Sequence, residues 1–361
     1  MNTKKQHYVP RLMLRQFANE IRGEWRSQVY DMERKQSRRN QNIKDVLAEN
    51  YTYDTDNSVE NFLEKHVESP VGAEIERLLE SPEQVSTTPT DNILRFLLVQ
   101  IARTRQAYNG SIQFLDKFME TFFETFATLN GQSPEAAREL RIRPSEPRQL
   151  LSYMAAYAAR RYRLLSDLRV AIVVNDTPQE FLLADHPVFQ HNLYLRDCNE
   201  PLSASLTVRG MQVFCPLSPR ITYCLYDSAV YAYHEERPSP IVRANLSDVR
   251  ALNMLQAINA GSFLVAKSLH MVSEMQCLGE RFANVSAFTV QGYAGAPAEG
   301  IDGKIRSQHY AKRKPIRLDA LPSFIKVKNK VRRRGVVCEH RRPDIVAEQE
   351  LADVRLRERS R

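Results

Sequence analysis

The order in which two periodicities follow one another limits the fold of this 361-residue chain more than any other feature. From residue 58 to 165 apolar side chains mostly return every third or fourth position. From about 166 to 270 they come mainly in short runs separated by turn residues. Helical patterns followed by strand patterns predict an α+β fold rather than a doubly wound one.

The helical half reads in three pieces. Val59, Phe62, Leu63, Val67, Val71, Ile75 and Leu78 predict a helix over 58–80, with a break at Pro70 and Ser69 capping a second helix. Residues 91–127 form the strongest helical stretch, with Asp91 as its expected N-cap. Ile93 to Ala102 is apolar nearly all round, which predicts burial. A third helical region covers 134–165. Ahead of these, 7–17 suits a short helix that tolerates Pro10 in its first turn. Gln28–Met32 and Glu49–Tyr53 read as strands, with a loop over 33–42.

In the second half, Val170–Val174 and Phe181–Ala184 flank Asn175–Glu180 and predict a hairpin. Met211–Phe214 and Ile221–Tyr226 flank Pro-Leu-Ser-Pro and predict another. A helix over 247–260 leads to a strand over 262–266. The expected organisation is one α+β domain over 1–299, helical over about 58–165 and β-rich over about 166–270. A basic tail follows over 300–361, helical in part near 344–359.

Composition removes several classes. Apolar residues make up 43% of the chain, enough for a sizeable core. No apolar run approaches the length of a membrane span, and the first residues lack a signal-like apolar stretch. The five cysteines are scattered and never form a CxxC pair, which argues against disulfides and thiolate zinc. A cytoplasmic location is the expectation. Residues 304–361 hold 18 Lys or Arg against 7 Asp or Glu, a net +11, while the whole chain is +8. The basic character therefore belongs to the tail, and the body is slightly acidic. Dinucleotide, nucleotide triphosphate, acyl-transfer and zinc-protease signatures are missing.

What remains is a set of polar residues within apolar surroundings. His7 stands before a short apolar helix, where a histidine is more often a hydrogen-bonded core residue than a catalyst. Glu60, Glu64 and Glu68 share a helical stripe, and only Glu68, beside the Ser-Pro step, is expected to turn inward. Gln100 and Arg103 lie one turn apart on a buried helix. A buried guanidinium keeps its proton and needs an anion, either a structural carboxylate or a bound phosphate. Arg105 is expected to reach the same place. Asp185 ends an apolar strand just before His186 and Pro187, where it serves either catalysis or a turn.

These residues sit in motifs. HYVPRLMLRQF at 7–17, ENYTYD at 49–54, RTR at 103–105, FLLADHPV at 181–188 and PLSPRITY at 216–223 resemble a bacterial family known as domain of unknown function 4238. The resemblance runs in order over about 5–270, and Asn253 matches its helical asparagine. Two motifs depart from the family pattern. Arg105 replaces a usual proline, and His186 replaces a usual asparagine between Asp185 and Pro187. No activity is implied by the resemblance.

Two functions from different classes fit. In one, His7, Glu68 and Asp185 supply acid–base groups of a nuclease or other phosphodiesterase. Asp185 and Glu68 are then candidate ligands for magnesium or manganese, and Arg103, Arg105 and Gln100 hold the phosphate. In the other, the protein is a non-catalytic nucleic-acid-binding or adaptor protein. Contact is then made by Lys312, Arg313, Lys314, Arg332, Arg333 and Arg334, and by further tail clusters including Arg341–Arg342. The polar residues of the body would then form a network that fixes the fold.

Overall fold

A computed structural model describes residues 5–50, 58–133, 144–198, 205–233, 239–283 and 321–359, with shorter pieces between. Side chains are not described at 50, 147–148, 288–315 and 353–359. The expected strand beyond Asn50 and much of the expected helix over 134–146 lie outside the described residues.

Strand β1 (Lys5–His7) pairs antiparallel with β5 (Ala48–Asn50). Between them come helix α1 (Arg11–Gln16) and strands β2 (Asn19–Ile21), β3 (Glu24–Asp31) and β4 (Gln36–Asn42). Strand β4 replaces the loop expected over 33–42. Its sequence hides it, because it pairs only with β3 and its polar residues do not alternate with apolar ones. Polar pairs hold it instead: Arg38 donates to Asp31 at 2.6 Å and the Gln28 amide bridges to Asn40.

Helix α2 (Ser58–Leu63) runs through a π-helical turn (Glu64–Glu68) into α3 (Ser69–Glu80). The expected break does not occur: Ser69 keeps helical φ and ψ of −63° and −44° and caps nothing. The wider π turn accommodates the Pro70 ring and its missing donor. Helix α4 (Asp91–Ala102) is capped by Thr90 rather than Asp91, since the Thr90 hydroxyl accepts from the Ile93 amide at 3.3 Å. The long helix expected over 91–127 breaks at Arg103–Thr104. Thr104 leaves helical geometry and caps α5 (Arg105–Leu129), accepting from the Ala107 amide at 3.2 Å. As expected, Ile93, Leu94 and residues 96–100 are buried. Helix α4 packs against α3 and α6 (Pro147–Arg160).

The second half supplies β6 (Arg169–Asn175), β7 (Leu183–Ala184), β8 (Phe189–His191), β9 (Gln212–Ser218), β10 (Ile221–Tyr226), β11 (Tyr231–Ala232) and β12 (Ile241–Ala244). Helix α7 (Leu246–Asn259), strand β13 (Phe263–Ala266) and helix α8 (Val272–Phe282) follow. One five-stranded sheet has the order β12-β6-β10-β9-β8, with only β12 and β6 parallel. The other joins β2, β3, β13 and β7, with β4 on the far side of β3. The hairpin expected from 211–226 is present, with Tyr223 opposite Cys215. The hairpin expected from 170–184 is not. Strand β6 already has β10 and β12 on its two edges, so β7 crosses to the second sheet beside β13. Asn175 guides that crossing, its amide donating to the Gln179 and Pro219 carbonyls.

One large core spans residues from Tyr8 to Val331. A smaller one lies under α8, where Gly279 meets Tyr30. A Cβ on Gly279 would stand 2.2 Å from the Tyr30 ring, so only glycine permits this approach.

Part of the C-terminal segment docks on the body. Strand Lys326–Val327 pairs with β11, Ile325 and Val331 are buried, and the Ser323 amide donates to Asp248 at 2.6 Å. Helix α9 (Asn329–Arg334) follows, then α10 (Pro343–Arg359). Between these helices Arg341 points into the body with its side chain 4% exposed. Its Nε and Nη2 bind Asp167 at 2.9 and 3.2 Å. The remaining donors go to the Leu206, Val208 and Leu164 carbonyls at 2.8, 2.8 and 3.0 Å. Arg341, read from sequence as a phosphate contact, therefore serves as an internal rivet. The lone charge among apolar neighbours that signals such a role is invisible in a basic run.

Candidate functional site

The opening motif is drawn into the helical layer by its own backbone. The Tyr8 carbonyl accepts from Gln100 Nε2 at 2.8 Å and from Arg103 Nε at 3.0 Å. Arg103 Nε also reaches Gln100 Oε1 at 2.9 Å, and its Nη1 binds Glu68 Oε1 at 2.7 Å. The π-helical turn carries Glu68 to this place. Arg103 is buried and Glu68 is 24% exposed, so the pair lies at the edge of solvent rather than deep in the core. His7 Nε2 donates to the Ile43 carbonyl at 3.1 Å. Burial pushes the His7 pKa down, against an upward pull from that hydrogen bond, which keeps the imidazole neutral at pH 7. His7, Glu68, Gln100 and Arg103 thus form one cluster. Arg105 leaves it: the side chain is 64% exposed and pairs with Glu49 at 3.3 Å.

The break between α4 and α5 links this cluster to the aspartate motif. The Thr104 hydroxyl accepts from the Ala107 amide and shares a hydrogen bond with His186 Nδ1 at 2.5 Å. Asp185, next to His186, accepts from the Gly261 and Ser262 amides, both at 2.7 Å. Burial raises its pKa to about 6, and the backbone donors oppose the rise. At pH 7 it remains an anion held mainly by backbone N–H groups.

Three residues on α7 complete the hold on this segment. Asn253 accepts from the Leu182 amide and donates to the Glu180 carbonyl. Gln256 accepts from the Ala184 amide and donates to the Pro187 carbonyl. The Asn259 amide donates to the His186 and Val188 carbonyls. Only Asn253 was singled out from sequence. The spacing of three across Asn253, Gln256 and Asn259, inside an apolar helix, was the available signal.

Among the described residues no three His, Cys, Asp or Glu side chains converge as ligands. Both Asp185 oxygens face amides, and one Glu68 oxygen faces Arg103. Asp185 and Glu68, the candidate ligands for magnesium or manganese, each give carboxylate oxygens to protein donors here. The chemistry available here is that of a hydrogen-bonded network joining the N-terminal strap, the α4–α5 junction and the 180–188 segment.

A second group of polar residues faces outward. Lys326, Lys330, Arg332, Arg333 and Arg334 are exposed on the docked strand and α9, and Val331 from the same helix is buried beneath them. Among the described residues no carboxylate pairs with Lys330, Arg332, Arg333 or Arg334. Lys328 is turned inward, its ammonium donating to the Ser228 carbonyl at 2.6 Å. The side chains of Lys312, Arg313 and Lys314 lie outside the described residues.

No described helix is long and apolar enough to cross a membrane. A family model described as "Protein of unknown function (DUF4238)" matches residues 5–270, the span of the motifs above. No curated protein and no solved structure matches the chain.

Proposed function

This chain belongs to the DUF4238 family of proteins of unknown function, and on that premise we propose that it binds nucleic acid in the cytoplasm without cleaving it. One observation carries the reading: five exposed cations share a short strand and helix that are pinned to the body by Val331, Ile325 and Arg341. Cations on a fixed base lose less freedom on meeting phosphates than cations on a loose chain. Lys312, Arg313 and Lys314 add charge from the preceding segment. The His7, Glu68, Gln100, Arg103 and Asp185 network serves as framework in this reading. The free cysteines suit a reducing compartment.

The test is the affinity of the full chain for a fluorescent oligonucleotide, compared with an Arg332→Ser, Arg333→Ser, Arg334→Ser variant. All three side chains are exposed, so the fold is expected to survive. Binding that is tight in the parent and lost in the variant supports the reading. Equal binding by both refutes it.

A second reading, a phosphodiesterase, draws on the part-exposed Glu68 beside His7 and Arg103 at a π-helical turn, a feature common at functional sites. Release of Arg103 from Glu68 would be its first step. Phosphodiester cleavage that disappears in Glu68→Gln, with oligonucleotide binding by the folded variant retained, would establish it over the first.

A further inference from the structure

Beside the cationic helix lies a groove of about 800 Å³ between the 193–198 loop and the C-terminal segment. Leu193, Leu321 and Val336 give it apolar walls, and Arg332 stands on its lining. Val336 is 59% exposed, an apolar side chain facing water from the edge of a basic patch. The groove does not owe its shape to loose loops. The Tyr194 hydroxyl donates to the Gly335 carbonyl at 3.0 Å and accepts from the Val337 amide at 2.8 Å, which fixes one wall to the other. Arg196 also lines it and is paired with Asp197 at 3.3 Å, so Arg332 is the main cation on offer.

We propose that this groove receives unstacked bases, so that the ligand is single-stranded rather than duplex nucleic acid. The proposal rests on the phosphate-binding reading above and deepens it. Arg332 belongs both to the exposed patch and to the groove, so a strand whose phosphates follow the patch passes its bases over the apolar walls. In a duplex the base faces are already stacked, and only edges and phosphates are presented. Apolar walls then gain nothing. A free base buries its faces there and leaves its phosphate to Arg332. The volume exceeds that of one base, so the fit is tolerant and no sequence preference is expected.

Cys198 provides the test, since it lines the groove and is half-buried, whereas Cys277 is exposed on α8 outside it. The native chain is alkylated with iodoacetamide with and without an oligo-dT strand or a blunt duplex, and each cysteine is followed by peptide mass spectrometry. In parallel, Cys198 is loaded with a bulky maleimide in a Cys277→Ser, Cys338→Ser variant, and affinities for both ligands are measured. The expected result is about tenfold slower alkylation of Cys198 with the single strand and an unchanged rate at Cys277. The plugged chain is expected to lose about tenfold in single-strand affinity, about 1.4 kcal/mol, and to keep its duplex affinity. If the arginine patch is needed for both ligands while Cys198 is neither protected nor sensitive to plugging, the groove proposal falls and the patch reading stands. If neither ligand binds, the patch reading fails and takes the groove with it.

Discussion

Replacing Arg341 by Ala isolates what holds the cationic segment in place. The guanidinium places all five N–H donors, on Asp167 and on the Leu164, Leu206 and Val208 carbonyls. Removal strands one carboxylate and three carbonyls. Breaking a buried ion pair costs about 3–5 kcal/mol. Asp167 keeps 15% of its side chain in solvent, which places the loss near the lower end, about 3 kcal/mol. That corresponds to an opening equilibrium raised on the order of a hundredfold. Because the segment 321–342 docks on the body rather than forming its centre, the opening is expected to be local. Trypsin cleavage between Lys326 and Arg334 reads it directly, in the regime where cleavage follows the open population. Cleavage about a hundred times faster in Arg341→Ala, with the body still protected, is the expected outcome. Arg341→Lys keeps the charge but lacks the planar fork, so it should fall between. Cleavage within twofold of the parent would show that Arg341 does not hold this segment.

Three other outcomes follow from the same structure. Arg103→Met should cost about 3 kcal/mol in urea denaturation by leaving Glu68 without its cation and the Tyr8 carbonyl with Gln100 as its remaining side-chain donor, yet leave oligonucleotide affinity unchanged; a parallel loss of affinity would tie the network to the ligand. Gly279→Ala should destabilise by roughly 1–3 kcal/mol or more, because the new methyl meets the Tyr30 ring, and an unchanged melting temperature would contradict that contact. His191 is buried with its pKa pushed down to about 4, whereas the unfolded chain protonates it near 6.5. Its contribution is therefore present above pH 6.5 and lost as pH falls toward 4, and His7 acts in the same direction. Asp185, raised to about 6 from 3.8, does the opposite: its contribution is full below pH 3.8 and lost as pH rises through 6. The two slopes oppose each other in the parent. His191→Asn removes one of the slopes that oppose Asp185, so its urea midpoint should fall less, relative to the parent, as pH drops from 7 to 4. Parallel pH curves for parent and variant would contradict the assignment.

Sequence made the helices and the fold class legible because α4 and α7 bury strong apolar patterns, and periodicity reports burial. It failed where pairing is decided by something other than periodicity. Strand β4 is polar on both faces and is held by Arg38 and Gln28, so nothing in its composition announces a strand. The turn at 175–180 reads as a hairpin locally, but both edges of β6 are taken by segments far along the chain. Thr104 ends α4 through a single hydroxyl, which a run of helix formers conceals. In the candidate site, that Arg103 needs partners followed from the rule that buried charges do, and the structure supplies Glu68 and the Gln100 amide. The identity of those partners did not, since Tyr8 contributes a backbone carbonyl and Gly261 a backbone amide, groups that every residue carries. Arg341 shows the same limit from the other side. In a basic run Lys328 and Arg341 face inward while Lys326, Lys330, Arg332, Arg333, Arg334 and Arg342 face water, and only the packing of 321–342 separates them.

The salt dependence of oligonucleotide binding tests the central claim most directly. Affinity of the full chain should fall linearly on a log–log plot with added salt. The Arg332→Ser, Arg333→Ser, Arg334→Ser variant should show a slope shallower by about 2 for a single strand, from about 0.7 for each of three lost phosphate contacts. A parent whose affinity ignores salt, or a variant with the parent's slope, would contradict phosphate binding by the docked cationic helix.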